Sequence, residues 1–398
     1  MPGGGSLVKI LFVITRADSF GGVQVHVRDL ATRLLELGHE VRVVTGARGP
    51  FSDALAQRGI SSVACPALQR AIHPLKDARA VIALRREINA FRPDIVSTHT
   101  SKSGIVGRLA CALGGPPCLF TAHGWAFTTG VPEPRRSFYR VIERAMAPLA
   151  TRIICVSEHD RQIAIAAGIK ASRLVTIHNG MLDVPASSRA DPGGGDPVRI
   201  VMLARLAPQK DHRTLLHAFA AVEGGHLDLA GEDGITSDAV RTLVHDLDLE
   251  DRVTFMGHQD DVAAVLAQSQ IFALISHWEG FPRSTLEAMR AGLPVLVSDA
   301  GGAAEAVEDG VTGFVVSKVN IDETRDRLRA LVASAERRRA MGSAGRRRYE
   351  EEFTFDRMFQ QALDLYHEIV PAFRSHGTVA VDRSGAEWAS PADDSAAH

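Results

Sequence analysis

Long apolar runs are missing from this 398-residue sequence. Runs such as Lys9-Ile-Leu-Phe-Val-Ile-Thr15 and Ile271-Phe-Ala-Leu-Ile275 fall far short of the roughly 18 residues that cross a bilayer, so they read as strands or core rather than integral membrane segments. The first six residues, Met-Pro-Gly-Gly-Gly-Ser, carry neither the basic region nor the apolar stretch of a signal peptide, and the cytoplasm is the expected compartment. Cysteine is scarce. Cys65, Cys111, Cys118 and Cys155 have no paired metal-ligand spacing and sit beside apolar residues, which predicts buried, reduced thiols without a chemical role. The full G-x-G-x-x-G pattern of a dinucleotide site is absent as well.

What is present is the composition of a soluble globular protein, 45% hydrophobic and 23% charged, with length for two domains of roughly 100 to 200 residues each. The net charge of −2 hides an asymmetry: residues 1–185 carry 23 Lys/Arg against 13 Asp/Glu, and residues 186–398 carry 22 against 34. A basic half joined to an acidic half suggests that the first half faces something anionic. Five of its arginines fall between Arg135 and Arg152, beside Phe138 and Tyr139 on an amphipathic helix. That helix suits peripheral contact with the anionic inner face of a membrane, and equally a solvated surface. No nucleic-acid partner is expected.

Apolar patterning alternates along the chain. Strands expected at 9–15, 40–45, 94–98, 118–122, 152–156 and 173–177 are separated by helices, and near-continuous apolar strands between helices mean a parallel sheet covered on both faces. Residues 186–197, dense in Pro, Gly and Asp, break the pattern as a linker. Alternation then restarts with strands at 198–204, 226–230, 252–256, 271–275 and 294–298. The expected organisation is therefore α/β: a doubly wound Rossmann-like domain over 1–185, a second over 198–353, a helix over 354–375, and a disordered tail over 376–398.

Two such domains place a ligand in the crevice between the carboxyl ends of their strands. Gly21-Gly22 lies between the first strand and first helix, where bare backbone can approach a phosphate, although many ordinary turns use two glycines. Arg205 and Lys210 follow the first strand of the second domain, placed to hold a diphosphate or to remain solvated surface charges. Glu279 and Glu287 flank a Gly-Phe-Pro turn. Such a pair could be acid and base or metal ligands, but no His or Asp stands at ligand spacing on the same helix, which disfavours a metal. His123 ends a strand and projects into the crevice; His99 and His178 end two others.

These residues, with Gly38-His-Glu-Val41, Thr98-His-Thr-Ser-Lys102, Ala122-His-Gly124, Ile177-His-Asn-Gly180 and Gly231-Glu232, together resemble glycosyltransferase family 4, retaining enzymes of the GT-B fold, over residues 8–370. The resemblance implies that Arg205 and Lys210 neutralise the diphosphate of a UDP- or GDP-sugar and that Glu287 binds the ribose. It likewise implies that Glu279 and the amides of Gly280, Phe281 and Pro282 hold the sugar, with Gly231 and Glu232 also on the donor side. Gly21 and Gly22 would approach the diphosphate from the first domain, and His123 would contact the sugar near the reacting carbon. The last helix would cross back to the first domain. Neither a metal nor a cofactor is implied.

His178-Asn-Gly-Met181 replaces the commoner Pro-Asn-Gly-Val, which weakens any inference from that loop. The Thr-Ser-Lys and His-Gly-Trp-Ala-Phe stretches look most like the subgroup building bacterial exopolysaccharide, capsule or lipopolysaccharide. A saccharide or polyprenyl-diphosphate-linked acceptor would fit the basic first half, with Ser101 and Lys102 as acceptor-side candidates. Two rivals are a UDP-N-acetylhexosamine 2-epimerase of the same fold and a non-catalytic nucleotide-sugar-binding protein. The first needs additional active-site acids; the second predicts loss of Lys210 or Glu287, both of which are present.

Overall fold

Buried strands that end at glycine-rich turns and amphipathic helices that follow them build two parallel sheets in the computed structural model, which describes residues 7–18, 21–112, 114–128 and 130–370. The first domain runs β1 (Lys9–Val13), α1 (Gly22–Glu36), β2 (Glu40–Thr45), α2 (Pro50–Ala56), β3 (Ser61–Ala64), α3 (Pro74–Phe91), β4 (Ile95–Thr98), α4 (Ser101–Cys111), β5 (Cys118–Ala122), α5 (Arg135–Met146), β6 (Arg152–Cys155), α6 (Glu158–Ala166) and β7 (Leu174–Thr176). Its seven strands are ordered β3-β2-β1-β4-β5-β6-β7 and pair in parallel throughout. The second runs β8 (Val198–Leu203), α7 (His212–Ala220), β9 (Gly225–Ala230), α8 (Ser237–Asp246), β10 (Val253–Gly257), α9 (Val262–Ala267), β11 (Ile271–Leu274), α10 (Arg283–Ala291), β12 (Val295–Ser298) and β13 (Gly313–Val316). Its order is β10-β9-β8-β11-β12-β13, again all parallel. Strand order reverses beside β1 and β8, so the sheets open their switch points toward each other.

α2, β3 and β13 were not among the expected elements. β3 is Ser-Ser-Val-Ala and only partly buried at the sheet edge, while β13 is a four-residue edge strand beginning with glycine. The stretch read as a linker lies against the second domain: Ala190 N–H donates to Ala291 O at 2.9 Å, and the Arg338 guanidinium to Pro192 O at 2.5 Å.

The chain passes between domains twice at one place. Met181 N–H donates to Phe353 O (3.0 Å), Phe355 N–H to Met181 O (2.8 Å) and the Tyr349 hydroxyl to Met181 O (2.8 Å). Two arginine-rich helices, α11 (Ile321–Val332) and α12 (Ala335–Glu352), lead to α13 (Phe355–Ile369). α13 then lays Phe355, Met358, Phe359, Leu365 and Tyr366 into the first domain's core beside Val8, Ile10 and Phe12. Each large apolar side chain so buried stabilises by about 1.5 to 3 kcal/mol, which holds the expected crossover in place. The remainder of the expected 354–375 helix and the 376–398 tail lie outside the described residues.

One buried charge pair joins α4 to α5. Arg108 Nη2 lies 2.7 Å from Glu143 Oε2, with side chains 0% and 1% exposed, and the guanidinium also covers the Phe120 ring at 4.5 Å. Burial raises the Glu143 carboxyl above its ordinary range against the pull of Arg108. All four cysteines are buried and free, as their neighbours predict.

Candidate active site

Between the carboxyl ends of the two sheets lies a cleft of about 800 Å³. Eleven of the fourteen residues to which the resemblance gives a donor- or acceptor-side role line it: Gly21, Gly22 and His123 from the first domain, and Arg205, Lys210, Gly231, Glu232, Glu279, Phe281, Pro282 and Glu287 from the second. Arg16, Arg28, Arg70 and Arg283 line it too. None of these four side chains was foreseen, because isolated arginines carry no spacing signal.

The N-termini of α1 and α10 both open on this cleft, and neither has an acid in its first turn. Their unpaired amides and positive dipole ends are therefore aimed at the same space. Position 280 requires glycine for that convergence, since a Cβ there would lie 2.9 Å from the Gly124 amide nitrogen; one on Gly22 would lie 3.0 Å from Arg283 Cδ and displace that side chain. Gly280 thus contributes by letting the second domain's loop slide beneath the end of β5, which places His123 against the second domain.

Lys210 is fixed by backbone and side chain together. The loop after β8 bonds to the loop after β11 through His277 N–H to Gln209 O and Asp211 N–H to Ile275 O, both 2.9 Å. Asp211 also caps α7 by accepting from Thr214 N–H at 3.0 Å, as its position predicts. The Lys210 ammonium pairs with the Glu279 carboxylate, and Gln209 Nε2 donates to Glu279 Oε2 at 3.3 Å. Glu279 is therefore only 7% exposed, its carboxylate engaged in orienting Lys210. Arg205 is exposed at the cleft, and Glu287 is partly buried on α10.

Ser101 and Lys102 are not among the cleft-lining residues. Thr100 caps α4 and lines the cleft, and the helical turn of 100° per residue carries the next two side chains away. Lys102 instead holds Asp77 of α3 at 2.6 Å.

Beside the cleft, His26 of α1, His99 after β4 and His123 after β5 form a cluster with ring centroids 4.9 to 5.5 Å apart. His99 Nδ1 is 3.2 Å from His123 Nε2, and Ser97 Oγ is 2.9 Å from His99 Nε2. Burial holds all three imidazoles below their ordinary range, His123 at about 3 with the Arg283 charge adding to the effect. All three are neutral at physiological pH. Their donor nitrogens lie within 4.8 Å of one another, a set that could hold a metal ion. The sequence reading missed this set because its members come from three separate elements. The 3.2 Å between His99 Nδ1 and His123 Nε2 is close to the separation of two imidazole nitrogens that share one ion at about 2.0 to 2.1 Å each, so these two nitrogens can hold either a shared proton or an ion.

The atypical His178-Asn179 loop is an interdomain contact. Asn179 Nδ2 donates to Phe281 O at 2.8 Å, and the His178 ring packs 4.6 Å from that of Phe281. Glu305 of the second domain accepts from His178 Nε2 (3.0 Å) and from the amides of Glu158 (2.8 Å) and His159 (2.6 Å) at the start of α6. Burial alone would raise the Glu305 carboxyl, but these bonds hold it below its ordinary range.

Neighbouring Asp160 is raised to about 7, chiefly by burial and then by the Glu305 charge, with Ser157 opposing. The folded state thus keeps a proton that the unfolded state releases near pH 4, and stability is lost as pH rises from about 4 to 7. Asp160→Asn removes that loss. The variant should match wild type at pH 4 and unfold at higher temperature at pH 8, by up to about 4 kcal/mol; an equal difference at both pH values, measured by thermal denaturation, would contradict this.

Comparison with known proteins agrees with the geometry. Residues 20–181 match the model described as Glycosyltransferase Family 4, and residues 186–348 the one described as Glycosyl transferases group 1. A UDP-Gal:alpha-D-GlcNAc-diphosphoundecaprenol alpha-1,3-galactosyltransferase of Escherichia coli is 29% identical over 71% of this chain and 77% of its own. A D-inositol 3-phosphate glycosyltransferase of Saccharomonospora viridis is 28% identical over 89% and 90%. Among solved structures, Anabaena Alr3699/HepE in complex with UDP and glucose superposes with a TM-score of 0.78 at 23% identity, over 91% of this chain and all of that one. Sucrose-phosphate synthase from Thermosynechococcus elongatus gives 0.80 at 21%, over 92% and 100%. At that identity the structures show the shared fold. Sheets, crossover helix and cleft define a glycosyltransferase of the GT-B architecture. The chain belongs to glycosyltransferase family 4.

Proposed function

We propose that this enzyme moves a hexose from a UDP- or GDP-sugar to a lipid-diphosphate-linked saccharide, with retention at the anomeric carbon, during assembly of a cell-surface polysaccharide. The observation that carries the donor assignment is the convergence of two helix N-termini with Lys210, Arg205 and Arg283 on one cleft. The demanding event in such a transfer is departure of a nucleoside diphosphate. Fixed cations and amide dipoles stabilise the charge that grows on its phosphates, at no reorganisation cost during the reaction. The carboxylates lining the cleft, Glu232, Asp260, Glu279 and Glu287, all come from the second domain. Among the described residues the first domain offers none there as a covalent nucleophile, which favours same-face substitution as the route to retention. The donor-binding groups are side chains and amides, and no metal is required in this reading.

The lipid-linked acceptor is supported by the Escherichia coli relative, whose name specifies a diphosphoundecaprenol-linked sugar. α5 adds a surface of the right chemistry: Phe138 and Val141 are 51% and 65% exposed on the helix that carries Arg135, Arg136, Arg140 and Arg144. Among the described residues no helix is long and apolar enough to cross a membrane. Peripheral contact with the inner face of the cytoplasmic membrane through α5 would bring the cleft to such an acceptor.

The donor half is tested by titrating UDP and GDP into the protein by calorimetry. Glu287→Ala should weaken binding of the preferred nucleotide at least tenfold, the loss of a hydrogen bond to a charged group, without changing the unfolding temperature. Unchanged affinity would refute ribose binding by Glu287, and wild-type protein that binds neither nucleotide would refute the donor class.

A further inference from the structure

A line of buried polar groups runs from the crossover helix to the cleft. Tyr366 of α13 is 2% exposed, and its hydroxyl is hydrogen-bonded to Ser97 on β4. Ser97 Oγ lies 2.9 Å from His99 Nε2, and His99 Nδ1 lies 3.2 Å from His123 Nε2. Ser97 and His99 are each 1% exposed. Of the four side chains only that of His123 lines the cleft.

The polarity of this line follows from its members. Burial pushes the Tyr366 phenol up to about 12, so it keeps its proton, and a phenol is a stronger donor than an aliphatic hydroxyl. With Tyr366 donating to Ser97, the serine proton is directed to His99 Nε2. A neutral imidazole that accepts at one nitrogen carries its proton on the other. His99 therefore donates from Nδ1 to His123 Nε2, and the His123 proton resides on Nδ1. His26 contributes no bond to this order; its ring meets His123 edge-on at 79°, and its Nδ1 has no partner.

We propose that Tyr366, Ser97 and His99 are positioning residues that lock His123 as its Nδ1–H tautomer, so that the ring presents a hydrogen-bond donor to an oxygen of the transferred sugar. The proposal rests on the transferase reading of the cleft. It gives the crossover helix a second task beyond packing: the segment that returns from the donor-binding domain sets the protonation geometry of the facing domain's only cleft histidine among the described residues.

The test combines kinetics with a spectroscopic readout. Tyr366→Phe, Ser97→Ala and His99→Gln should each lower kcat for sugar transfer about tenfold, the loss of one buried hydrogen bond, while UDP affinity stays within about twofold. Tyr366→Phe placed in a His123→Ala background should cause no further fall. Nitrogen-15 NMR of histidine-labelled protein should show the Nδ1–H form of His123 in wild type and a tautomer mixture in His99→Gln. Wild-type rates in both Tyr366→Phe and Ser97→Ala, an undiminished Tyr366→Phe effect without His123, or an Nε2–H tautomer in wild type would each overturn the proposal. Were the wild-type protein to bind no nucleotide sugar, the transferase reading would fall; the tautomer measurement would still decide the line of bonds.

Discussion

Lys210→Ala is expected to lower kcat for transfer by about 10²- to 10³-fold, the effect of removing one preorganised donor aimed at developing charge. Two losses act together. The cleft forfeits a cation beside the leaving phosphates, and the Glu279 carboxylate, 7% exposed and paired with that ammonium, is left as an uncompensated negative charge facing an anionic donor. The same pairing predicts an asymmetry between variants. Glu279→Gln in the Lys210→Ala background should recover part of the donor affinity by removing the stranded charge, whereas Glu279→Gln alone should lower activity by freeing Lys210. Circular dichroism should remain that of wild type, because the loops carrying Lys210 are fixed by backbone bonds to Ile275 and from His277; the unfolding temperature should fall with the stranded carboxylate and recover in the double variant. Transfer by Lys210→Ala at near-wild-type rate would remove Lys210 from the phosphate site.

The second large effect is on stability. Glu143→Ala should destabilise the first domain by about 3 to 5 kcal/mol, since it strands the Arg108 guanidinium as an uncompensated charge where its side chain is 0% exposed. Replacing both partners with apolar residues, Arg108→Met with Glu143→Leu, should restore most of that loss. Such pairs commonly add little net stability over a well-packed apolar contact. Urea unfolding followed by tryptophan fluorescence suits the measurement, since Trp125 is buried in the same domain. A single-variant loss below about 0.5 kcal/mol would contradict the account of this pair.

The fold was legible because its strands are buried on both faces and therefore appear as short continuous apolar runs. The runs at 9–15, 118–122 and 271–275 all became central strands, each ending one or two residues early or on the expected residue. Edge strands escaped for the converse reason. β3 needs little apolar content where one side meets solvent, and Ser61-Ser62 gave no pattern to find. The crossover was readable from the spacing of Phe355, Met358, Phe359 and Tyr366, which lie on one face of α13 and are all buried; its destination in the first domain came from the family resemblance.

The cleft was legible where function follows from a strand end. His123, Arg205 and Lys210 each follow a strand end closely and Glu287 lies in the second turn of the helix after β11, and all line the cleft. What a one-dimensional reading could not supply was pairing. Glu279 and Lys210 are 69 residues apart, so nothing in either local stretch indicates that the carboxylate holds the ammonium. The pairing of Lys102 was hidden for the same reason: its partner Asp77 lies on the preceding helix. The histidine cluster depends on α1, β4 and β5 meeting within the first domain, and the place of Arg283 depends on the approach of α10 to α1 beside Gly22.

The most direct test of the central claim is transfer itself. Purified protein is incubated with a panel of radiolabelled UDP- and GDP-hexoses and an undecaprenyl-diphosphate-linked N-acetylhexosamine in mixed vesicles containing anionic lipid, with and without EDTA, and label is counted in the organic extract. The account predicts that one nucleotide sugar delivers label to the lipid fraction, that the product glycoside keeps the donor's anomeric configuration, and that EDTA leaves the rate unchanged. Absence of transfer from every donor, to the lipid-linked acceptor and to free saccharides or inositol phosphate alike, would contradict it.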